Sequence, residues 1–223
     1  MGIRWQNLIV ALDLDNREEI EKVVAVLSPY QVKFKIGSIA FTRFGPDMVR
    51  EFVHRGVDIF LDLKLHDIPN TMRHTASIIA DLGCWAFTVH LRAGQPALRQ
   101  VCSAVSRIAD KCRSRKPLVL GVTVLTSSPA EEGEAERLVT VAADSGLDGV
   151  IASPLEAAAI KSAHPQLMVL TPGIRSPLDE AADQRRTATA RTAFNNRADY
   201  IIVGRPIISK EDYARAAEEI LSA

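Results

Sequence analysis

The sequence predicts a single-domain (β/α)8 TIM barrel over residues 1–223. Three observations lead there. Eight apolar, β-rich runs alternate with stretches of helical periodicity, which implies right-handed crossover units and a parallel sheet. A chain of 223 residues is long enough to bury one large core. The unusual polar residues recur at the C-terminal ends of the apolar runs, where a barrel of this kind carries its active site. No linker, low-complexity stretch or second domain interrupts the pattern.

The elements follow in order. Leu8–Leu14 is the first strand and ends in charge at Asp13. Glu18 to Leu27 places Ile20, Val23, Val24 and Leu27 at helical spacing. Asp15 and Asn16 stand before it as cap candidates, which leaves Asp13 freer for a ligand, although Asp also favours cap positions itself. Gln31–Gly37 is the second strand, followed by a helix over Pro46–His54. Val57–Leu65 is the third, followed by Asn70–Leu82. Ala86–Leu91 is the fourth, and Ala97 to Ile108 again repeats at helical spacing through Leu98, Val101, Cys102, Val105 and Ile108. Strands five to eight are Leu118–Leu125, Gly149–Ala152, Leu167–Thr171 and Tyr200–Gly204. The last helices are read over Glu134–Ala143, Leu155–Ser162, Thr187–Asn195 and Lys210–Leu221.

Composition narrows the function. Lys plus Arg and Asp plus Glu both number 27, so no global field draws nucleic acid or an anionic membrane. An anionic substrate must be held by local groups. No apolar run approaches the roughly 20 residues of a spanning helix. The start, Met1 to Asn7, lacks signal-peptide anatomy, and Gln6 stands where a myristoylation signal wants Ser or Thr. Cys84, Cys102 and Cys112 are an odd number without Cys-x-x-Cys spacing, which reads as free thiols in a reducing cytoplasm.

The chemistry concentrates in Asp62-Leu63-Lys64-Leu65-His66-Asp67-Ile68-Pro69-Asn70-Thr71. On a regular strand Asp62 and Lys64 share a face, about 7 Å apart along the chain. Burying an acid with an ammonium is unfavourable unless they pair or act on something. Asp67 follows just past the strand, and Pro69 suits the first turn of a helix. An ion pair accounts for Asp62 and Lys64 but not for the third charge. Lys35, near the mouth end of the second strand, would pair with a carboxylate or else stand solvated at the rim. Lys33, two residues further in, reads as structural or solvated at the other end of the barrel. Arg175 after strand seven and Gly204-Arg205 after strand eight fall on the two loops where barrels often hold phosphate. Arginine offers a fork matched to phosphate oxygens, and glycine lets backbone N–H groups approach. Thr126 and Ser127 follow strand five, where hydroxyls are also ordinary turn chemistry. The histidines show no metal-ligand spacing, and an orienting or packing role is expected for His66.

The long motif closely resembles the active-site motif of the orotidine 5′-monophosphate decarboxylase family. The flanking matches run in the same order: Lys35-Ile36-Gly37, Thr171-Pro172-Gly173-Ile174-Arg175, Asp183-Gln184-Arg185-Arg186 and Val203-Gly204-Arg205-Pro206-Ile207. The resemblance implies a barrel that decarboxylates orotidine 5′-monophosphate to UMP, the last step of de novo pyrimidine synthesis, without metal or organic cofactor. It also implies the roles. Lys35, Asp62, Lys64 and Asp67 form the catalytic array, with Lys64 protonating C6. Asp13 and Lys35 hold the ribose, Ile68 and Thr71 join the binding set, and Thr126 (with Ser127 the near alternative) meets the pyrimidine edge. Arg175, Gln184, Gly204 and Arg205 hold the phosphate, Gln184 bridging to the pyrimidine. In that family Asp67 and Thr71 reach into a second copy's site, so a homodimer with shared sites is implied. One departure stands out: the family often follows the fourth-strand histidine with Ala and a Gly-Gly pair, whereas this chain reads His90-Leu91-Arg92-Ala93-Gly94-Gln95.

Two other readings share parts of this pattern. Asp-x-Lys-x-x-Asp also occurs in magnesium-dependent sugar-phosphate lyases such as hexulose-phosphate synthase and ketogulonate-phosphate decarboxylase; His66 to Thr71 and Gln184 argue against them. A non-catalytic nucleotide-binding barrel is opposed by the retention of Lys64 with both aspartates.

Overall fold

The computed structural model describes residues 4–124, 133–175 and 187–223. The strands are β1 (Leu8–Ala11), β2 (Lys33–Gly37), β3 (Ile59–Leu65), β4 (Ala86–His90), β5 (Leu118–Val122), β6 (Gly149–Ile151), β7 (Met168–Thr171) and β8 (Tyr200–Val203). They close into a barrel in sequence order, with every neighbouring pair parallel and β8 returning to β1. Around it lie α1 (Arg17–Leu27), α2 (Ser38–His54), α3 (Pro69–Asp81), α4 (Gln95–Cys112), α5 (Glu134–Asp144), α6 (Ala157–Ala163), α7 (Ala190–Asn195), α8 (Arg205–Ile208) and α9 (Tyr213–Ser222).

Strand alternation divides the core in two. Leu8 and Val10, Phe34 and Ile36, Ile59 and Leu61, and Phe87 and Val89 point outward and pack against the helices. Ile9 and Ala11, Phe60, Ala86, Leu120, Leu170 and Ile202 point inward with Trp85 and fill the barrel. The same alternation turns Lys33, Lys35 and Asp62 inward, and all three are buried. Lys33 sits at the N-terminal end, over the rings of Trp85 and Tyr200 at 5.1 and 5.3 Å. It is therefore structural there and not solvated.

The expected elements are present with shifted ends. β1 stops at Ala11, three residues short of the predicted end, although Leu12 N–H still donates to Lys35 O at 2.9 Å. The chain then turns, and Asn16 caps α1 by accepting from the N–H groups of Glu18 and Glu19. α2 begins at Ser38, well before the predicted Pro46, and breaks at Gly45, whose φ is 68°. Pro46 starts the second half, so the sequence signal marked a kink within a longer element. The expected final helix begins only at Tyr213, because the Asp212 side chain accepts from Arg215 N–H and fixes the start. The short α8 directly after β8 was not expected.

Candidate active site

The C-terminal mouth of the barrel opens into a cavity of about 490 Å³, lined by Asp13, Lys35, Asp62, Lys64, Arg175, Gly204 and Arg205, among others. Seven of the residues singled out in the sequence thus share one hollow. A larger hollow of about 940 Å³ opens at the opposite end around Lys33 and Asp58. The mouth cavity is where the chemistry gathers, because the charges there are coupled in one chain.

That chain runs from the loop after β1 across β2 to β3. Asp13 Oδ1 accepts from Lys35 Nζ at 2.9 Å. Lys35 Nζ lies 3.6 Å from Asp62 Oδ2, and Lys64 Nζ donates to the same oxygen at 2.9 Å. The register Gly37↔Asp62 between β2 and β3 explains the approach, since Lys35 and Asp62 are then diagonal neighbours on the inner face. Burial works to raise the Asp62 pKa, but the ammonium groups of Lys35 and Lys64, with hydrogen bonds from Lys64 and Thr88, hold it below the ordinary value of 3.8. Asp62 is ionised at neutral pH, flanked by two lysine side chains.

Lys64 departs from the regular strand geometry. Its φ is 50°, in the left-handed region that a residue with a side chain seldom occupies. The β3–β4 register shifts between Leu61 and Leu65 at this point. Such a bulge re-aims a side chain next to a site, and here it brings Lys64 Nζ onto Asp62. The expected 7 Å spacing along a regular strand is replaced by direct contact.

Two contributors have roles that the sequence does not reveal. Thr88, fully buried on the inner face of β4, donates its hydroxyl to Asp62 Oδ1 at 2.9 Å and accepts from Lys64 N–H at 2.8 Å. A hydroxyl at an inward position of the strand next to Asp62 was the available signal. Gly37 is the other. A Cβ there would stand 2.8 Å from Asp13 Oδ1 and 3.0 Å from Lys35 Nζ, so glycine lets that ion pair lie against the backbone of β2 without displacement.

At the far wall, Arg175 and Arg205 reach the cavity from the loop after β7 and the start of α8. Just past β7, Arg175 N–H donates to Ala188 O at 3.0 Å and Ala188 N–H to Gly173 O at 3.1 Å. Gly204 precedes α8, and a Cβ there would meet Ala11 at ordinary contact distance, so nothing crowds its surface. Thr126, its alternative Ser127, and Gln184 lie outside the described residues.

Asp67, Ile68 and Thr71 are not brought into this cavity. All three are exposed on the turn after β3 and the first turn of α3, Ile68 to 65%. Asp67 Oδ1 accepts from Ile68 N–H at 2.6 Å. The departure after β4 forms a single 3-10 turn, Leu91–Ala93, in which His90 Nδ1 accepts from Arg92 N–H at 3.3 Å. Arg92 is directed away to Glu134 at the start of α5, with Nε donating at 2.8 Å. The extra charge therefore lies outside the cavity lining. Among the described residues, no group of three or more His, Cys, Asp or Glu side chains is arranged to hold a metal ion.

Comparison with known proteins points to one family. The model of the orotidine 5′-phosphate decarboxylase / HUMPS family matches residues 6–220. An orotidine 5′-phosphate decarboxylase of Coxiella burnetii is 38% identical over 225 residues, covering 96% of this chain and 94% of that protein. One from Escherichia coli is 39% identical over 225 residues, covering 96% and 90%. The crystal structure of orotidine 5′-phosphate decarboxylase from Lactobacillus acidophilus superposes with a TM-score of 0.83 at 34% identity, covering 96% of this chain and 97% of that one.

Proposed function

The chain belongs to the orotidine 5′-phosphate decarboxylase / HUMPS family, and from that premise we propose that it converts orotidine 5′-monophosphate to UMP and CO2, the last step of de novo pyrimidine synthesis. The observation that carries this reading is the Asp13–Lys35–Asp62–Lys64 chain at the barrel mouth, with an ionised carboxylate between two ammonium groups.

The array suits a reaction that creates negative charge on carbon. The substrate carboxylate is placed against Asp62, whose ionised state makes the bound ground state repulsive. The C6–carboxylate bond breaks, CO2 leaves, and the electron pair stays on C6. Lys64 presents its ammonium to that carbanion and then delivers the proton to C6, to be reprotonated from water. Because the carbanion exists only along the reaction path, a prepositioned cation favours the transition state over the substrate. Enzymes lower barriers by about 8–23 kcal/mol, and this chemistry requires the upper part of that range. No step calls on a metal or an organic cofactor.

Asp13 and Lys35 hold the ribose, Arg175, Gly204 and Arg205 the phosphate, with Gln184 bridging to the pyrimidine edge and Thr126 or Ser127 recognising it. Remote phosphate contacts contribute by ordering the site around the ring. Asp67 and Thr71, with Ile68 beside them, act in a second copy's site, so the working unit is a homodimer with shared sites. The exposure of these residues outside their own cavity supports that reading. Three cysteines without a disulfide pairing suit a cytoplasmic enzyme.

The test is the ultraviolet change when protein meets orotidine 5′-monophosphate, with and without EDTA, beside Lys64→Ala. Conversion to UMP that ignores EDTA and falls on the order of 10⁴-fold in the variant is expected. Conversion that EDTA abolishes would point to the magnesium-dependent sugar-phosphate lyases. Serial dilution tests the dimer: activity per chain should fall as monomers form, and full activity in a proven monomer sinks the shared site.

A further inference from the structure

His66 and His90 stack face to face at the rim, ring centroids 5.1 Å apart and planes inclined by 25°. The contact is a product of the bulge at Lys64. Upstream, Leu61 pairs with Phe87, and an unbroken register would set Leu65 opposite Leu91 and His66 opposite Arg92. The observed partner of Leu65 is Val89, so His66 comes beside His90 instead. The same two-residue register shift between Leu61 and Leu65 thus sets both the Lys64 ammonium and the histidine pair.

The two rings are held very unequally. His90 ends β4, is half-buried, and has its Nδ1 occupied by Arg92 N–H at 3.3 Å. Arg92 is in turn tied to Glu134 on α5. His66 is exposed and stands in the turn between β3 and α3, immediately before Asp67. Residues 66 to 68 are all exposed, so little burial fixes this turn. The His90 ring supplies a firm surface against which its first residue packs.

We propose that the His66–His90 stack is a positioning contact that sets where Asp67 is presented to the second copy's site. It rests on the role assigned to Asp67 above. His66 and His90 are positioning residues here; neither lines the cavity. What is required of position 66 is a flat ring, not a proton.

The experiment compares kcat, KM and thermal midpoint for His66→Ala, His66→Phe and Asp67→Asn in the full-length protein. His66→Ala should lose roughly 3- to 10-fold in kcat, the scale of one aromatic pair. Its midpoint should hold, because the side chain is exposed. His66→Phe, which keeps the ring and discards the titrating nitrogens, should recover most of that loss. Wild-type kcat in His66→Ala, or a His66→Phe as slow as His66→Ala, overturns the proposal while a slow Asp67→Asn leaves the functional reading standing. Wild-type kcat in Asp67→Asn removes the premise, and the inference falls with it.

Discussion

Thr88 holds Asp62 from the neighbouring strand: its hydroxyl donates to Asp62 Oδ1 at 2.9 Å while accepting from Lys64 N–H at 2.8 Å. One fully buried hydroxyl therefore fixes the orientation of the carboxylate and satisfies the backbone of the strained lysine beside it.

Replacing Thr88 by Val keeps the shape and removes both hydrogen bonds. The Lys64 N–H loses its partner and Asp62 loses a donor that favours its ionised form. A buried group left unpaired costs about 1–3 kcal/mol. The expected result is a stability loss of that size and a fall in kcat of roughly 10- to 100-fold, since a misaimed carboxylate acts on the reacting bond itself. Denaturant unfolding beside steady-state kinetics checks both; a variant with wild-type kcat would refute the orienting role.

Gly37→Ala tests the other role that the structure reveals. The added methyl meets Asp13 Oδ1 at 2.8 Å and Lys35 Nζ at 3.0 Å, so the ion pair must move. Gly37 has an ordinary φ of −94°, so no backbone strain confuses the outcome. Both displaced groups are assigned to the ribose, and KM should rise about 10-fold or more, in line with the loss of one well-placed charged hydrogen bond. An unchanged KM in a folded variant would remove Asp13 and Lys35 from the ribose site.

The sequence made the barrel and its mouth legible for a physical reason. Alternating apolar runs and helical periodicities report burial, and charges such as Asp62 and Lys64 at the end of a run report the face that is not sealed. What it could not report was register. Whether Thr88 lies beside Asp62 depends on how β3 meets β4, and that register shifts between Leu61 and Leu65. Gly37 was visible as part of Lys-x-Gly, yet its reason lies across the barrel in Asp13. α8 was hidden because its four residues are too few for a periodicity. Asp67 stood out in the sequence as an unexplained third charge, but its role and that of Thr71 were legible only through resemblance, because their expected target is another chain.

Acid should weaken the fold through Asp62. Its folded pKa lies below 3.8, so its ion pairs add stability above that value and lose it as pH falls through the lower folded value. Asp62→Asn lacks this contribution and leaves Lys64 without its 2.9 Å partner, while Lys35 keeps Asp13. The stability gap between wild type and variant should therefore be flat from pH 7 to about 4 and narrow below it. Denaturant titrations across that range measure it. A gap that widens on acidification would mean that Asp62 is not held ionised.

Lys33, at the opposite end of the barrel, separates stability from catalysis. Its ammonium is buried, yet its contacts are long: 3.5 Å to Gln6 O and 3.7 Å to Asp58. The rings of Trp85 and Tyr200 attract it, by about 0.5–2 kcal/mol for such contacts. Burial still prevails and, with Arg115 nearby, lowers its pKa below 10.5 against the opposing pull of Asp58. Lys33→Met keeps the packing of the stem, and Asp58 retains Arg115 at 3.3 Å. Replacing a buried charge by an apolar side chain of similar volume is often neutral or stabilising by about 1–4 kcal/mol. The variant should match or exceed wild-type stability at pH 7 with unchanged kcat, because this lysine faces away from the mouth. A folded lysine with a depressed pKa is penalised while charged, so wild type should close the gap as pH rises through that pKa toward 10.5. A loss of more than about 1 kcal/mol in Lys33→Met would instead make the two ring contacts the dominant force at the base of the barrel.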